Sequence, residues 1–256
     1  MSKIALVRKP GPRLNEGLTV NIAKVDVDLP LALQQWDKYV QVLQDHGWET
    51  VEVDAADDCP DAVFVEDTAV MFRNVATITR PGADSRKPEI EGTRSAAGDL
   101  GASLNQIKAP GTVDGGDILK VGDTVYVGRG GRTNAEGIAQ LRRILTPLGA
   151  KVVAVPVKKV LHLKTAVTAL PDGTVIGYEP FVDDPGVFPR FMPVPEEHGA
   201  AVVCLSDREL VMSESAPKTA ELLRDLGYTV TTTPMTEFEK LEGCVTCLSV
   251  RMRDLV

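Results

Sequence analysis

Cys247 is the residue in this chain best suited to nucleophilic chemistry. It lies in Leu241-Glu242-Gly243-Cys244-Val245-Thr246-Cys247-Leu248-Ser249-Val250-Arg251. After the turn residue Gly243, Val245, Cys247 and Ser249 alternate with Thr246, Leu248 and Val250, a composition that reads as a strand. A free cysteine on such a strand is either packing or a nucleophile, and its thiolate is the reactive form. A partner base must come from three histidines. His46 adjoins Gly47 at a helix end, and His198 follows Pro195-Glu196-Glu197 in a polar loop. His162 sits between Leu161 and Leu163 just ahead of a strand. That position suits a Cys/His pair and equally a satisfied core histidine. A carboxylate should orient the imidazole, and Thr112-Val113-Asp114-Gly115-Gly116-Asp117-Ile118 offers Asp114 and Asp117. The two glycines between them permit a tight turn, although an ordinary turn before a strand has the same composition.

Two adjacent acids stand between apolar runs in Phe64-Val65-Glu66-Asp67-Thr68-Ala69-Val70. In an extended chain their side chains point to opposite faces, so at least one meets the interior or a cleft. A buried carboxylate needs a cationic partner. A guanidinium ligand provides one, with five planar N–H donors; an internal Lys or Arg is the structural alternative. Cys244-x-x-Cys247 has redox or half-zinc spacing, but Cys59 and Cys204 are single and supply no second pair. On an alternating strand, positions 244 and 247 face opposite sides, which disfavours both a disulfide and a shared metal. Gly128-Arg129-Gly130-Gly131-Arg132 is glycine-rich, yet no Walker A or dinucleotide fingerprint is present, nor G-x-S-x-G or H-E-x-x-H.

The elements that must position these groups form a repeat. Ile4–Val7 reads as a buried strand. Asp28, with Pro30 in the first turn, opens a helix through Leu33, Trp36, Val40 and Leu43 that ends at Gly47, and residues 49–53 follow as a strand. The same helix–glycine–strand ending returns at Leu100-Gly101, Leu148-Gly149 and Leu226-Gly227. Pairs of short strands precede the later helices, over 63–79, 118–127 and 202–211. A further pair, 166–170 and 174–177, leads into the proline-rich stretch 183–195, where a helix is missing. The N-terminal segment supplies strand, helix and strand, and the segment around Cys247 supplies the strand it lacks. Joining the two ends completes a fifth unit. The expected fold is therefore α/β: a closed five-bladed propeller of ββαβ units, one domain over residues 1–256, with radial repetition removing long edges. An open doubly wound sheet would alternate single strands with helices instead.

Size and charge are compatible with this reading. The chain has 256 residues, 43% apolar and 25% charged, which suffices for a substantial core. A formal charge of −8 argues against nucleic acid or an anionic membrane and suits a cationic small substrate. The N-terminal apolar run of four is too short for a signal peptide. No stretch approaches the roughly 18 apolar residues of a membrane span. Four cysteines do not make a disulfide scaffold, so a reduced, cytoplasmic protein is expected.

Taken together, seven stretches in order resemble the dimethylarginine dimethylaminohydrolases of the pentein, or guanidine-modifying, superfamily. They are Glu16-Gly17-Leu18-Thr19, Phe64-Val65-Glu66-Asp67, Ile78 to Arg86, Asp114-Gly115-Gly116-Asp117, Arg132-Thr133-Asn134, Leu161-His162-Leu163-Lys164 and Thr246-Cys247-x-Ser249-Val250. The resemblance spans residues 16–250 and implies a five-bladed α/β propeller. It implies Cys247 as nucleophile, His162 as general acid and base, and Asp114 as the carboxylate orienting it. Asp61, Glu66 and Asp67 match the acids around the substrate's guanidinium and amino end. Arg86 and Arg132 match the pair that holds its carboxylate, and Leu18 and Leu241 match flap and wall residues. Cys244 matches no functional position. The implied reaction is hydrolysis of N-ω-methylated arginines to citrulline and an amine through a covalent cysteine intermediate, by a monomer or homodimer without metal or cofactor. An arginine deiminase-like activity is the close alternative, and a thiol redox or metal-binding module is the distant one.

Overall fold

The computed structural model describes residues 3–253, so the extreme ends of the expected 1–256 domain lie outside the described residues. Among the described residues, fifteen short strands form five three-stranded sheets. Each sheet repeats one pattern: an antiparallel pair, then a parallel third strand reached by a crossover. The second unit shows it plainly. Ala69–Phe72 pairs antiparallel with Val75–Ile78, which pairs parallel with Ser103–Gln106 after the helix Ile90–Asp99. In the unit that joins the ends, Ile4–Val7 lies between Val250–Met252, antiparallel, and Glu49–Glu52, parallel. The chain termini thus complete one sheet, and the five ββαβ units follow the order expected from the repeat.

Local chemistry explains the elements. Asp28 caps the helix Leu29–Asp45, its carboxylate accepting from Leu31 N, with Pro30 in the first turn. Asn134 does the same for Ala135–Leu145 through Gly137 N. The glycine after each of the four helical crossovers is left-handed, with φ of +75° at Gly47, +85° at Gly101, +93° at Gly149 and +91° at Gly227. The fourth unit has lost its helix. Short 3₁₀ turns at Glu179–Phe181 and Pro185–Val187 carry the chain to the parallel strand Phe191–Pro193.

The innermost strand of every unit lines one central cavity, with about 1090 Å³ of empty space. Met71, Leu119, Ala169, Cys204 and Arg251 represent the five units around it. A short helical turn or tight turn precedes each innermost strand: Val65–Thr68, Gly115–Asp117, Leu163–Ala166, Glu197–Ala200 and residues 245–248. Two expected strands are turns of this kind. Residues 63–65 run into the first 3₁₀ turn, and the extended segment around Cys247 shrinks to Val250–Met252. One long-range bond and two local ones hold the latter bend: Glu66 N donates to Cys247 O, and the Arg251 guanidinium donates to Thr246 O and Ser249 O.

Candidate active site

The turns before the inner strands gather the chemistry at one mouth of the ring. A cavity with about 300 Å³ of empty space is lined there by Leu18, Asp61, Phe64, Asp67, Arg86, Arg132, Leu161, His162, Leu241 and Cys247, together with Glu242 and Gly243. Eight of the ten residues singled out from the sequence border it directly. Of the other two, Asp114 reaches it through His162, whereas Glu66 turns its side chain elsewhere.

His162 is the hub. Its Nε2 lies 2.9 Å from Asp114 Oδ2 and 3.9 Å from Asp67 Oδ1. Asp114 is held in turn by Gly82 N, which donates to its Oδ1 at 2.8 Å. Burial alone would lower the imidazole pKa. The Asp67 charge, the Asp114 hydrogen bond and the Asp117 charge outweigh it and raise the value to about 9. The same attraction, with Arg86, holds Asp67 well below the ordinary carboxylate range against the opposing effect of burial. Asp117 is placed differently: its Oδ1 accepts from Leu163 N and its Oδ2 from Thr133 Oγ1. It fixes the backbone beside His162 rather than the ring, and burial pushes it up to about 6.

The glycines of Asp-Gly-Gly-Asp are required by close approach. A Cβ on Gly116 would stand 2.6 Å from His162 Nδ1 and 2.9 Å from Asp67 Oδ1, and one on Gly115 would stand 1.9 Å from Glu66 O. Neither glycine has a positive φ. Gly116 N also donates to Asp67 Oδ1 at 2.7 Å, so the missing side chain lets the backbone itself become part of the site.

Both adjacent acids find internal cations, the structural alternative noted above. Asp67 pairs with Arg86 Nη1 at 2.5 Å. Glu66 pairs with Lys164 Nζ at 2.5 Å and Arg251 Nη2 at 3.0 Å, inside the central cavity. The sequence assigns Glu66 to the substrate; the structure turns its carboxylate away, toward Lys164 and Arg251. Arg86, assigned to the substrate's carboxylate, is already occupied by Asp67, Glu89 and the carbonyls of Asp61 and Phe64. Two other groups carry unsatisfied polar atoms. Asp61 Oδ2 and Arg132 Nη1 are buried and have no hydrogen-bond partner, although Nη1 lies 3.8 Å from Asp114 Oδ2. The other oxygen of Asp61 accepts from Leu18 N, and burial raises its carboxyl pKa.

Cys247 faces this cavity, and beside it the expectation of opposed cysteines fails. Because residues 244–247 form a turn, Cys247 N donating to Cys244 O, the two sulfurs lie on the same side at 3.4 Å. The hydrogen bond with Cys244, burial, and the charges of Glu66 and Asp67 push the Cys247 thiol well above its ordinary value. Ligand atoms of Asp67, Asp114 and His162 come within 4.8 Å of one another, metal-like spacing.

Sequence reasoning missed Arg8, Glu89 and Arg251. Arg8 is buried and donates to the carbonyls of Asp54, Ala62 and Glu89, fixing the loop that carries Asp61. A single arginine directly after an apolar strand was the only available signal.

Residues 52–202 match the model of the arginine deiminase family, which places the molecule among guanidine-modifying hydrolases. A dimethylarginine dimethylaminohydrolase of Streptomyces coelicolor is 65% identical over 254 residues, covering 99% of this chain and 98% of the relative. One from Pseudomonas aeruginosa is 36% identical over 256 residues, covering 98% and 100%. The solved P. aeruginosa DDAH, a cysteine-to-serine mutant complexed with citrulline, superposes with a TM-score of 0.92 at 34% identity, covering 98% of this chain and 100% of that one. The N-terminal domain of ArgZ shares the fold at 20% identity with a TM-score of 0.87. This chain belongs to the dimethylarginine dimethylaminohydrolases of the pentein superfamily.

Proposed function

We propose that the protein hydrolyses N-ω-methylated L-arginine to L-citrulline and dimethylamine or methylamine. The observation that carries this reading is one small cavity bordered by Cys247, His162 and two unsatisfied groups of opposite charge, Asp61 Oδ2 and Arg132 Nη1. An amino acid's ammonium satisfies Asp61 and its carboxylate satisfies Arg132, which leaves the side-chain guanidinium beside Asp67. Arg86 acts through Asp67 as a positioning residue. Leu18 and Leu241 close the cavity, and Glu66 supports the Cys247 turn through Arg251.

Catalysis follows from the charges. With its thiol pKa raised, Cys247 stays protonated in the empty site; the bound guanidinium stabilises its thiolate, and the thiol proton passes to solvent because His162 already carries its own. The sulfur adds to the guanidinium carbon. With a pKa of about 9, His162 enters as imidazolium and donates its proton to the departing amine. A thiouronium-type intermediate remains on Cys247. Neutral His162 then takes a proton from water, which attacks the same carbon, and the C–S bond breaks to release citrulline and the thiol.

We take the chain to work as a single domain, monomer or homodimer, in the cytoplasm. Among the described residues no helix is long and apolar enough to cross a membrane. The arginine deiminase family match favours one second reading, deimination of arginine itself. A citrulline assay decides between them. Turnover of asymmetric dimethylarginine, with dimethylamine released and arginine unprocessed, is expected; faster turnover of arginine would replace this reading with the second.

A further inference from the structure

The two sulfurs of the catalytic turn have a geometry that the hydrolytic reaction does not use. Cys244 Sγ lies 3.4 Å from Cys247 Sγ, and Cys247 N donates to Cys244 O at 3.0 Å. Such a turn keeps its end Cα atoms within about 7 Å, overlapping the range of roughly 4.4–6.8 Å that a disulfide needs. An S–S bond of about 2.05 Å then requires the sulfurs to close by roughly 1.4 Å, within reach of side-chain rotation. Two separate cavities meet here. Cys247 faces the substrate cavity, whereas Cys244 lines a wider one with Asn21, Ile22, Lys159, Phe181 and His198. Glu242 and Gly243 line both, so a small oxidant can approach Cys244 without passing a bound substrate.

We infer that Cys244 and Cys247 form a redox-modifiable dithiol that a hydroperoxide closes to an intramolecular disulfide, reversibly silencing the nucleophile. The chemistry balances. The Cys244 thiolate attacks one peroxide oxygen, the O–O bond breaks, and the departing hydroxide takes a proton to become water. Cys244 is then a sulfenic acid. The Cys247 sulfur attacks the Cys244 sulfur, the S–O bond breaks, and water leaves with the Cys247 proton. Two electrons pass from the dithiol to hydrogen peroxide, giving one disulfide and two waters. A small-molecule dithiol reverses the closure by exchange. Cys244 is the better first attacker: its hydrogen bond to Cys247, joined by one to Thr246, lowers its pKa to about 7. Cys59 and Cys204 have no sulfur partner at this turn.

The test uses the purified full chain treated with hydrogen peroxide. Trypsin releases both cysteines in a single peptide, residues 241–251, free of Cys59 and Cys204. Oxidation is expected to reduce titratable thiols from four to two, to remove two hydrogens from that peptide, and to abolish citrulline formation. Dithiothreitol should restore all three. In Cys244→Ser the peptide never loses two hydrogens, and prolonged peroxide adds oxygens to Cys247 that dithiothreitol does not remove. Wild-type peptide that keeps both thiols, gains oxygen instead, or links to another cysteine or a second chain overturns the proposal. Thiol count and peptide mass do not depend on turnover, so failure of the hydrolase reading would not disguise failure of this one.

Discussion

On one side of the substrate cavity His162, Asp114, Asp67 and Asp117 form a nearly complete network. His162 bonds Asp114, Asp114 accepts from Gly82 N, Asp67 accepts from Gly116 N and Arg86, and Asp117 anchors Leu163 N. On the other side Asp61 Oδ2 and Arg132 Nη1 are buried without a hydrogen-bond partner, Nη1 having only Asp114 Oδ2 at 3.8 Å, and Leu18 is 38% exposed. The first wall is organised before substrate arrives, and the second is finished by it. A new charged hydrogen bond contributes roughly 1.5–3 kcal/mol, so a zwitterionic ligand that bonds both atoms gains affinity from the second wall. Substitutions should therefore act on turnover at the first wall and on substrate affinity at the second.

The largest expected effect tests the sulfur between the walls. Cys247→Ser should abolish citrulline formation, because a serine hydroxyl beside these carboxylates is not ionised. Cys244→Ser should retain activity within a few-fold of wild type, as read in the same colorimetric assay. Equal loss from both would revive the redox or metal-binding module. Next comes Asp114→Asn, which keeps the shape but removes the charge beside His162. We expect kcat to fall on the order of 10²–10³-fold, within the range for general acid–base contributions, and the His162 pKa to drop from about 9 when followed by NMR.

Arg132→Ala probes the second wall. Losing one charged hydrogen bond of roughly 1.5–3 kcal/mol should raise KM about 10–100-fold with little change in kcat. A dominant kcat effect would erase the distinction between the walls. The smallest effect is on stability. His162 carries a folded-state pKa of about 9, raised above its unfolded value of 6.5. Its charged pairing therefore stabilises fully below pH 6.5 and is lost as pH rises toward 9. The melting temperature should fall across that interval, and Asp114→Asn should shrink the fall.

Much of this arrangement is legible in the sequence, for specific reasons. The glycines at 47, 101, 149 and 227 must be left-handed to end each crossover, so the repeat appears as spacing. Cys247, His162 and Asp67 sit on turns at equivalent points of that repeat, and all three border one cavity. The residues around Cys247 mislead because their alternation is strand-like, while Glu66 N from a distant turn and the nearby Arg251 side chain capture their carbonyls and bend them. That bend brings Cys244 to Cys247. The direction of the Glu66 side chain is equally hidden, since it is set by Lys164 and Arg251, distant in sequence. Buried cations such as Arg8 leave no periodic signature because their partners are backbone carbonyls.

The central claim is that Cys247 sulfur bonds to the guanidinium carbon. It is tested most directly by acid-quenching the enzyme during turnover of dimethylarginine and weighing the tryptic peptide spanning residues 241–251. An adduct on Cys247 is predicted at early quench times, disappearing as citrulline is released. Citrulline formed with no adduct at any quench time, or with the label on another residue, would contradict it.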